Sequence, residues 1–291
     1  MTTMTTGTTT GTTICRMKIE AFAKVNLTLE VFGVREDGFH ALRSIVVPVS
    51  LSDTLEITGA PALSSDTGYS DDLCLKAARA LDGERGAEIR VLKRIPAGGG
   101  LGGGSADAAA TLVALNEEWG LGKSRKELAE IGAQVGSDVP SLVMGGPVLM
   151  EGRGEIVTPF ALDGMPFPRL DLVLCNPGVA SSTKEVYANC TSRVTGDPSI
   201  VYNMRSALES GDLERIAAAM MNDLQEPAVR LHPEIGGVME LLKKSGAIGA
   251  AMSGSGSTVF GLVPDETRGR EIAAFLGLYG FSAWPVHTIV P

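Results

Sequence analysis

A run of glycines constrains the fold of this chain more than any other feature. Residues 96–106 read PAGGGLGGGSA, with six glycines around Leu101. Glycine lacks a β-carbon, so this segment is predicted to be a loop whose backbone itself forms a surface. A helical pattern follows over residues 105–119 and ends at Gly120. A loop that leads into a helix N-terminus presents free N–H groups and the positive end of the helix dipole, which favours phosphate binding.

Two common phosphate-binding motifs fit the run less well. The GxGxxG spacing of dinucleotide-binding folds occurs within it, but Pro96 separates the loop from the apolar residues before it, and Lys123 stands where an acidic residue is expected. The Walker A motif places lysine after its last glycine, and here that residue is Ser105. The loop therefore lacks a cation of its own. A flexible linker is disfavoured by Leu101 at the centre and by the helix immediately behind.

Length and composition indicate a globular protein with a substantial core. The 291 residues are 44% hydrophobic and 20% charged, enough for one large or two medium domains. The net charge of −9 argues against nucleic acid as the main partner. No apolar run approaches the ~20 residues of a membrane span. Three histidines and no HExxH motif disfavour a zinc site. The four cysteines form no CxxC pair and predict reduced thiols in a cytoplasmic protein.

The order of elements predicts an α+β protein. Strand-like runs and helical patterns are mixed without regular βαβ alternation. The patterns predict strands over 143–151 and in the buried run LDLVLCNP, and a helix over 124–135 that begins with a capping box of Ser124 and Glu127. In the C-terminal half they predict helices around 183–189, 204–209, 213–221, 235–245 and 266–276. Residues 1–16 are rich in Thr and Gly and are predicted to be a disordered tail. We expect an N-terminal domain over 17–160 and a C-terminal domain over 161–291. A proline-rich segment, 159–169, is the expected connection between them.

Two residues are candidates for phosphoryl-transfer chemistry, which needs cradled phosphates, a cation and an acceptor for the hydroxyl proton. Lys24 lies in an otherwise apolar strand and is the candidate cation; the alternative is a surface lysine whose stem packs on the protein. Asp138, in the segment GSDVP, is the candidate proton acceptor; the alternative is a turn or cap residue.

Two further segments each allow two interpretations. The sequence SGSGS at 253–257 could form a second backbone wall beside the phosphates, or a simple hairpin loop. Phe39 and His40 follow a turn signal at Asp37-Gly38, and they could be a recognition pair or a packed aromatic beside a surface histidine.

The blocks PAGGGLGGGSADAA, GSDVP and MSGSGSTVFG, in this order, resemble the GHMP kinase superfamily of small-molecule kinases. Residues 23–57, 136–155 and 181–187 narrow the resemblance to the branch that phosphorylates the 2-hydroxyl of 4-diphosphocytidyl-2-C-methyl-D-erythritol in non-mevalonate isoprenoid biosynthesis. It covers roughly residues 17–291. It implies a two-domain GHMP-kinase-like fold with the active site in the interdomain cleft, and ATP and Mg²⁺ as cofactors. It also implies a small-molecule substrate, no nucleic-acid or membrane partner, and a monomer or homodimer.

The resemblance also implies roles for individual residues. Lys24 matches the catalytic lysine and Asp138 the catalytic base. The ATP phosphate loop is matched by Pro96, Ala97, Gly98, Gly99, Gly100, Leu101, Gly102, Gly103, Gly104, Ser105 and Ala106. The substrate's cytidine end is matched by Asn26, Phe39, His40, Thr183 and Tyr187, with Phe39 and Tyr187 as expected walls around the base. No metal ligand is identified.

Two positions depart from the pattern of the branch. Phe39 stands where tyrosine is frequent, which keeps an aromatic face and loses a hydroxyl. Asp107 stands at the start of the helix after the glycine run, where a small polar residue is more usual. Its charge could repel phosphates or help to hold Mg²⁺, and the sequence leaves both open.

Two other functions compete with the leading one. Another kinase of the superfamily could act on a mevalonate-type, homoserine or sugar substrate, but paired aromatics in DGFH and STKEVY favour a cytidine pocket. A non-catalytic nucleotide-binding regulator is the second alternative. The presence of both Lys24 and Asp138 argues against it, because binding alone requires no base.

Overall fold

The computed structural model describes residues 2–9, 12–190 and 198–290, with side chains from Arg16 onward. The strands are β1 (Thr2–Thr9), β2 (Thr12–Val34), β3 (His40–Gly59), β4 (Ser64–Ser65), β5 (Ala87–Leu92), β6 (Val148–Gly152), β7 (Ile156–Pro159), β8 (Asp171–Asn176), β9 (Met221–Asn222), β10 (Gly249–Met252), β11 (Val259–Val263) and β12 (Ser282–His287). The helices are α1 (Leu73–Leu81), α2 (Gly103–Glu118), α3 (Arg125–Gly132), α4 (Val139–Met144), α5 (Thr183–Ala188), α6 (Pro198–Ser210), α7 (Leu213–Ala219), α8 (Gln225–Leu231), α9 (Pro233–Lys244) and α10 (Glu266–Leu278). The mixture confirms an α+β fold.

The N-terminal segment differs from its prediction. Strand β1 pairs antiparallel with the start of β2, from Thr2 opposite Ile19 to Thr9 opposite Thr12. The disordered tail predicted over residues 1–16 is therefore replaced by a hairpin in the described part of this segment. β-Branched threonine favours extended backbone, which accounts for the pairing. Residues 1, 10 and 11 lie outside the described part of the chain.

The chain divides into two compact units that are interleaved along the sequence. Unit 1 comprises residues 1–23, 51–95 and 102–144, and unit 2 comprises 24–50, 96–101 and 145–291. The predicted division into 17–160 and 161–291 does not coincide with these units. The reason is that β2 and β3, with 23 and 20 residues, are long enough for one part of each strand to belong to each unit. Most strands in globular proteins have only about 3–10 residues.

Unit 1 packs helices beside an antiparallel pair of strands. The second part of β3 pairs with β5, from Thr54 opposite Leu92 to Gly59 opposite Ala87. Helices α1, α2, α3 and α4 pack against one another. Helix α3 begins with the predicted capping box, in which Ser124 and Glu127 bond reciprocally. Residues 139–144 form helix α4, whereas the sequence predicts a strand from Val143; only Val148–Gly152 is extended.

Unit 2 holds two groups of strands. The first part of β3 pairs with β6 and β6 with β7, both antiparallel, and β9 runs parallel to β2. A second sheet has the order β10-β11-β8-β12. Its centre is apolar: residues 172–175 of β8 are buried, and α9 and α10 pack against the sheet.

The sequence patterns did not predict helix α8. Within the described residues, no helix combines the length and apolarity required to span a membrane.

Candidate active site

The glycine run forms an ordered loop with a regular backbone pattern. Gly98, Gly100 and Gly102 have φ angles of 67°, 74° and 70°, a left-handed region that other residues rarely adopt. Leu101 between them is 1% exposed, and its carbonyl accepts a hydrogen bond from the Lys24 N–H at 3.0 Å. The loop is thus anchored by its apolar centre and is not a linker. Gly102 is the N-cap residue of α2, which begins two residues earlier than predicted.

The unit 2 part of the glycine run packs against residues 253–258, here termed the second glycine loop. The Thr258 N–H donates to the Gly99 carbonyl at 3.1 Å, and Ser253 Oγ donates to the Gly100 carbonyl at 3.0 Å. A β-carbon on Gly100 would lie 2.2 Å from the Ser253 carbonyl oxygen. Absence of side chains at these glycines therefore makes room for protein backbone, in addition to the phosphate approach expected from the sequence.

The second glycine loop connects the two strands of a hairpin and also borders the glycine run. It joins the antiparallel strands β10 and β11, which satisfies the hairpin interpretation. A residue outside the loop also fixes its start: Asn222 Nδ2 donates to the carbonyls of Met252 and Gly254, both at 2.8 Å. Thr183 Oγ1 lies 2.8 Å from Ser255 Oγ. Thr183, predicted to border the substrate, thus contacts this loop in unit 2.

Lys24 and Asn26 form a buried pair beside the second glycine loop. They are 3% and 2% exposed, so the interpretation of Lys24 as a surface residue is wrong. Lys24 Nζ donates to Asn26 Oδ1 at 2.7 Å, and the same oxygen accepts from the Gly254 N–H at 2.9 Å. Asn26 Nδ2 donates to Ser44 Oγ at 2.7 Å. The Asn26 amide orients the Lys24 ammonium; its predicted contact with substrate stays a prediction.

The start of α2, in unit 1, holds a cation that the sequence analysis missed. Lys93 Nζ donates to Asp53 Oδ2 at 2.5 Å and to Asp107 Oδ2 at 2.6 Å. It lies 3.6 Å from the place a β-carbon of Gly103 would occupy. The signal was available in VLKRIP, a lysine at the end of a strand directly before the glycine run. The loop itself carries no lysine, as the sequence shows, and Lys93 directly before it brings a positive charge near its helical end.

Asp107 is neither a solvated charge nor an evident metal ligand. It is 4% exposed, and its Oδ1 has no hydrogen-bond partner among the described atoms. Burial raises the pKa of this carboxyl to about 7, against the opposing effect of Lys93. In the part of the chain that the structure describes, no three His, Cys, Asp or Glu residues cluster as metal ligands would. We therefore assign no magnesium ligand; Mg²⁺ commonly binds through phosphate oxygens and water with few protein ligands.

Asp138 lies in unit 1, in the turn that precedes α4. It is half-buried, and its backbone carbonyl accepts hydrogen bonds from Ser141 Oγ at 2.7 Å and from the Leu142 N–H at 3.4 Å. The backbone of Asp138 thus has the turn role that the sequence suggested as an alternative. A role for its carboxylate as proton acceptor stays a prediction.

Two of the predicted cytidine-binding residues, His40 and Tyr187, lie together in unit 2. The rings of His40 and Tyr187 are 5.4 Å apart between centroids, with an interplanar angle of 35°. Phe39 is 52% exposed, and the Arg153 guanidinium lies 5.3 Å from its ring centroid. Tyr187 therefore contacts His40, and the expectation that Phe39 and Tyr187 are the two walls around the base stays a prediction. Arg153 was not anticipated from the sequence.

The His40 ring has a defined tautomer. Its Nδ1 lies 3.1 Å from the Phe32 carbonyl oxygen. Because a carbonyl oxygen only accepts hydrogen bonds, Nδ1 carries the hydrogen, and Nε2 of the neutral ring is an acceptor.

The cysteines with described side chains agree with the expectation of reduced thiols. Cys74, Cys175 and Cys190 are free. Burial raises the pKa of the Cys74 and Cys175 thiols to about 12, so both stay protonated.

Comparison with known proteins identifies the family. The GHMP kinases N terminal domain matches residues 72–146, and the GHMP kinases C terminal domain matches residues 204–280. The chain is 42% identical over 266 residues to a 4-diphosphocytidyl-2-C-methyl-D-erythritol kinase of Pelotomaculum thermopropionicum, covering 87% of this chain and 91% of that protein. It is 40% identical over 286 residues to the enzyme of the same name from Symbiobacterium thermophilum, covering 94% and 100%.

A solved structure agrees with these matches. A crystal structure of 4-(cytidine 5'-diphospho)-2C-methyl-D-erythritol kinase superposes with a TM-score of 0.80 at 34% identity, covering 94% of this chain and 99% of that one. The described loops, buried Lys24 and helix α2 therefore sit in a fold shared along nearly the whole length of that relative. The chain belongs to the GHMP kinase family.

Proposed function

We propose that this protein transfers the γ-phosphoryl group of ATP to the 2-hydroxyl of 4-diphosphocytidyl-2-C-methyl-D-erythritol. The observation that carries the proposal is the identity of 40–42% to proteins named for this activity, over 87–94% of the chain. In the reaction the hydroxyl oxygen bonds to phosphorus, the bond to ADP breaks, and the hydroxyl proton leaves. The enzyme's task is positioning and electrostatic stabilisation.

The glycine run and Lys24 would supply the positive environment for the phosphates. Free N–H groups at the start of α2 attract phosphate oxygens. Lys24 is positioned by Asn26 through an amide, which orients the ammonium without adding a negative charge. Charge that develops on the transferred group would be stabilised by such a fixed cation. Mg²⁺, when bound with the nucleotide, supplies further neutralisation of phosphate charge.

Asp138 would accept the hydroxyl proton. It precedes α4 in unit 1, and its backbone is held by two hydrogen bonds from that helix. A half-buried carboxylate on a fixed turn can be held in one orientation, as a general base requires. The motif GSDVP supports this assignment by resemblance.

The cytidine end of the substrate would be recognised by His40 and Tyr187. Tyr187 offers an aromatic face, and His40 Nε2 offers an acceptor because Nδ1 donates to Phe32. Cytosine carries an amino donor where uracil carries a carbonyl acceptor, so this edge would favour cytosine. A site built to pair one donor rejects the analogue that lacks it.

The function is tested by measuring ADP release with purified protein, ATP, Mg²⁺ and a panel of acceptor alcohols. The panel contains the cytidine diphosphate-linked methylerythritol, its uridine counterpart, free methylerythritol, mevalonate, homoserine and galactose. We expect turnover with the cytidine compound and at least 10²-fold less with every other acceptor. Equal turnover of free methylerythritol, or preference for mevalonate or homoserine, would contradict the proposal.

The base is tested separately with Asp138→Asn. Loss of a general base costs roughly 10²- to 10⁴-fold in rate, so kcat should fall by that factor while both ligands still bind. The matched control is Asp163→Asn, at an exposed aspartate of unit 2. A kcat of Asp138→Asn equal to that of the control would show that another group accepts the proton.

A cytoplasmic location and a monomeric or homodimeric state stay predictions. Size-exclusion chromatography with light scattering tests the oligomeric state.

A further inference from the structure

Asp53, Lys93 and Asp107 form one buried cluster, here termed the carboxylate clamp, at the two ends of the glycine run. Asp53 is fully buried and Asp107 nearly so. The Lys93 ammonium bridges them, with distances of 2.5 Å to Asp53 Oδ2 and 2.6 Å to Asp107 Oδ2. The three residues come from β3, from the segment after β5 and from α2, all within unit 1.

The clamp holds the chain where the glycine run begins. Asp53 Oδ1 accepts hydrogen bonds from the backbone N–H groups of Arg94, at 2.5 Å, and Ile95, at 2.8 Å. Both oxygens of Asp53 are therefore used, one for the backbone and one for Lys93. Hydrogen bonds to a charged acceptor are stronger than neutral ones, so the segment directly before Pro96 is firmly fixed.

The clamp also holds the chain where the run becomes a helix. Asp107 lies in the second turn of α2, and its bond to Lys93 ties that helix to the segment that Asp53 fixes. Gly103 completes the contact, because a β-carbon there would lie 3.1 Å from Ile95 Cγ2. The entry and the exit of the phosphate loop are thus joined to each other through one ammonium group.

The charge of the clamp does not balance. With both carboxylates ionised it carries one net negative charge close to the helix N-terminus where phosphate would bind. Asp107 Oδ1 has no donor among the described atoms, which leaves that carboxylate incompletely satisfied. The charges that act on it are those of Lys93 and Asp53; Cys74 of α1 lies near it as a neutral thiol.

We propose that Asp53, Lys93 and Asp107 are positioning residues for the nucleotide, which fix the shape of the phosphate loop and bind its phosphates more tightly when Asp107 is protonated. The proposal rests on the glycine run binding ATP, as set out above. An ionised Asp107 repels the phosphates, and a proton from solvent removes that repulsion. Because burial raises its pKa to about 7, the change falls within the range in which the enzyme can be assayed.

The test is direct ATP binding by calorimetry with Mg²⁺, from pH 6 to pH 8.5, on wild type and Asp107→Asn. The nucleotide's own titration is common to both proteins and cancels in the comparison. We expect the affinity of the wild type for ATP to weaken about three- to tenfold as the pH rises through 7. One partly screened charge near the phosphates has an effect of about this size. Asp107→Asn should lack this additional weakening. Parallel pH profiles of the two proteins would overturn the protonation part of the proposal.

Lys93→Met tests the fixing of the loop. ATP affinity should fall at least tenfold, while the KM of the acceptor changes less than twofold. Lys93→Arg, which keeps the charge, should recover most of the affinity. The matched control is Lys76→Met on α1, a half-exposed lysine that pairs with Asp71. A folded Lys93→Met with wild-type ATP affinity would overturn the clamp; if that variant does not fold, Lys93→Gln, which removes the charge and keeps a polar side chain, replaces it.

The outcome is independent of the acceptor. Direct ATP binding requires no second substrate, so a failure of the clamp is distinguishable from a wrong assignment of the phosphorylated alcohol. A fall in melting temperature without a change in ATP affinity would show a structural role alone and would also overturn the proposal.

Discussion

Two lysines lie beside the glycine loops, and their surroundings differ in charge. Lys24, in unit 2, is held by the carboxamide oxygen of Asn26, which the Gly254 N–H shares. Lys93, in unit 1, is held between the carboxylates of Asp53 and Asp107. An amide orients an ammonium without neutralising it, whereas two carboxylates more than cancel its charge. The first arrangement suits a cation that acts on phosphate, and the second suits one that holds the chain in shape.

The largest effect is expected on stability when the bridging lysine is removed. Lys93→Met leaves the buried Asp107 carboxylate without a donor among the described atoms, while Asp53 retains two backbone donors. Removal of one partner of a buried ion pair typically costs about 3–5 kcal/mol. Urea unfolding should show a loss of this size in Lys93→Met. A loss below about 1 kcal/mol would show that Lys93 does not hold the chain in shape, and the proposed difference between Lys93 and Lys24 would then be wrong.

The second effect is expected on rate when Lys24 is removed. Lys24→Met should lower kcat by about 10²–10³-fold, comparable to removal of one electrostatic donor to a transition state. The unfolding free energy should change by only about 1 kcal/mol, because Asn26 Oδ1 keeps the Gly254 N–H as donor. Steady-state kinetics and urea unfolding on the same preparation separate the two quantities. A change confined to KM would contradict a catalytic role for Lys24.

The third effect is a pH-dependent difference in stability between wild type and Asp107→Asn. The folded-state pKa of Asp107, about 7, lies above its ordinary value of 3.8, so folding favours the protonated form. Its contribution to stability is therefore largest near pH 4 and is lost as the pH rises to 7. The pKa difference of about three units corresponds to about 4 kcal/mol at 1.36 kcal/mol per unit, so Asp107→Asn should gain up to about 4 kcal/mol relative to wild type between pH 4 and pH 8. A constant difference across this range would show that Asp107 is ionised throughout.

The smallest effect is expected when Lys24 receives a carboxylate partner like those of Lys93. Asn26→Asp keeps an acceptor for Lys24 and for the Gly254 N–H but adds a negative charge. We expect kcat to fall about tenfold, or 1.4 kcal/mol, through partial neutralisation of the ammonium. Asn203→Asp, at an exposed position of α6, is the matched control. Unchanged turnover in Asn26→Asp would show that the net charge near Lys24 has little influence on the reaction.

Local features of the fold were predictable from the sequence, because their causes lie within a few residues. The capping box of Ser124 and Glu127 and the buried strand β8 lie at or near their predicted positions. The apolar run after Asp138 was predicted as strand from Val143, yet residues 139–144 are helical. Short apolar runs do not distinguish the two conformations, and packing against α2 and α3 decides.

Features that depend on distant residues were not predictable in this way. The carboxylate clamp joins Asp53 to Lys93 across 40 positions and Lys93 to Asp107 across 14. Nothing in the spacing of these residues indicates that they meet. Likewise, the sequence places Lys24 in an otherwise apolar strand, and only the hydrogen bond to Asn26 reveals which side chain orients its ammonium group. Motif resemblance suggested which residues matter, and the contacts suggest how they act.

The hydrogen bond between Ser253 and Gly100 has a consequence for synthesis on the ribosome. The two residues are 153 positions apart, so the glycine run is translated long before the loop that packs against it. At about 5–20 residues per second, the interval is roughly 8–30 s. During that time Gly99 and Gly100 lack the backbone that fills the space beside them, although helix α2 can already form behind them. A nascent chain that ends before Ser253 therefore carries the phosphate-loop sequence without the packing that fixes its shape.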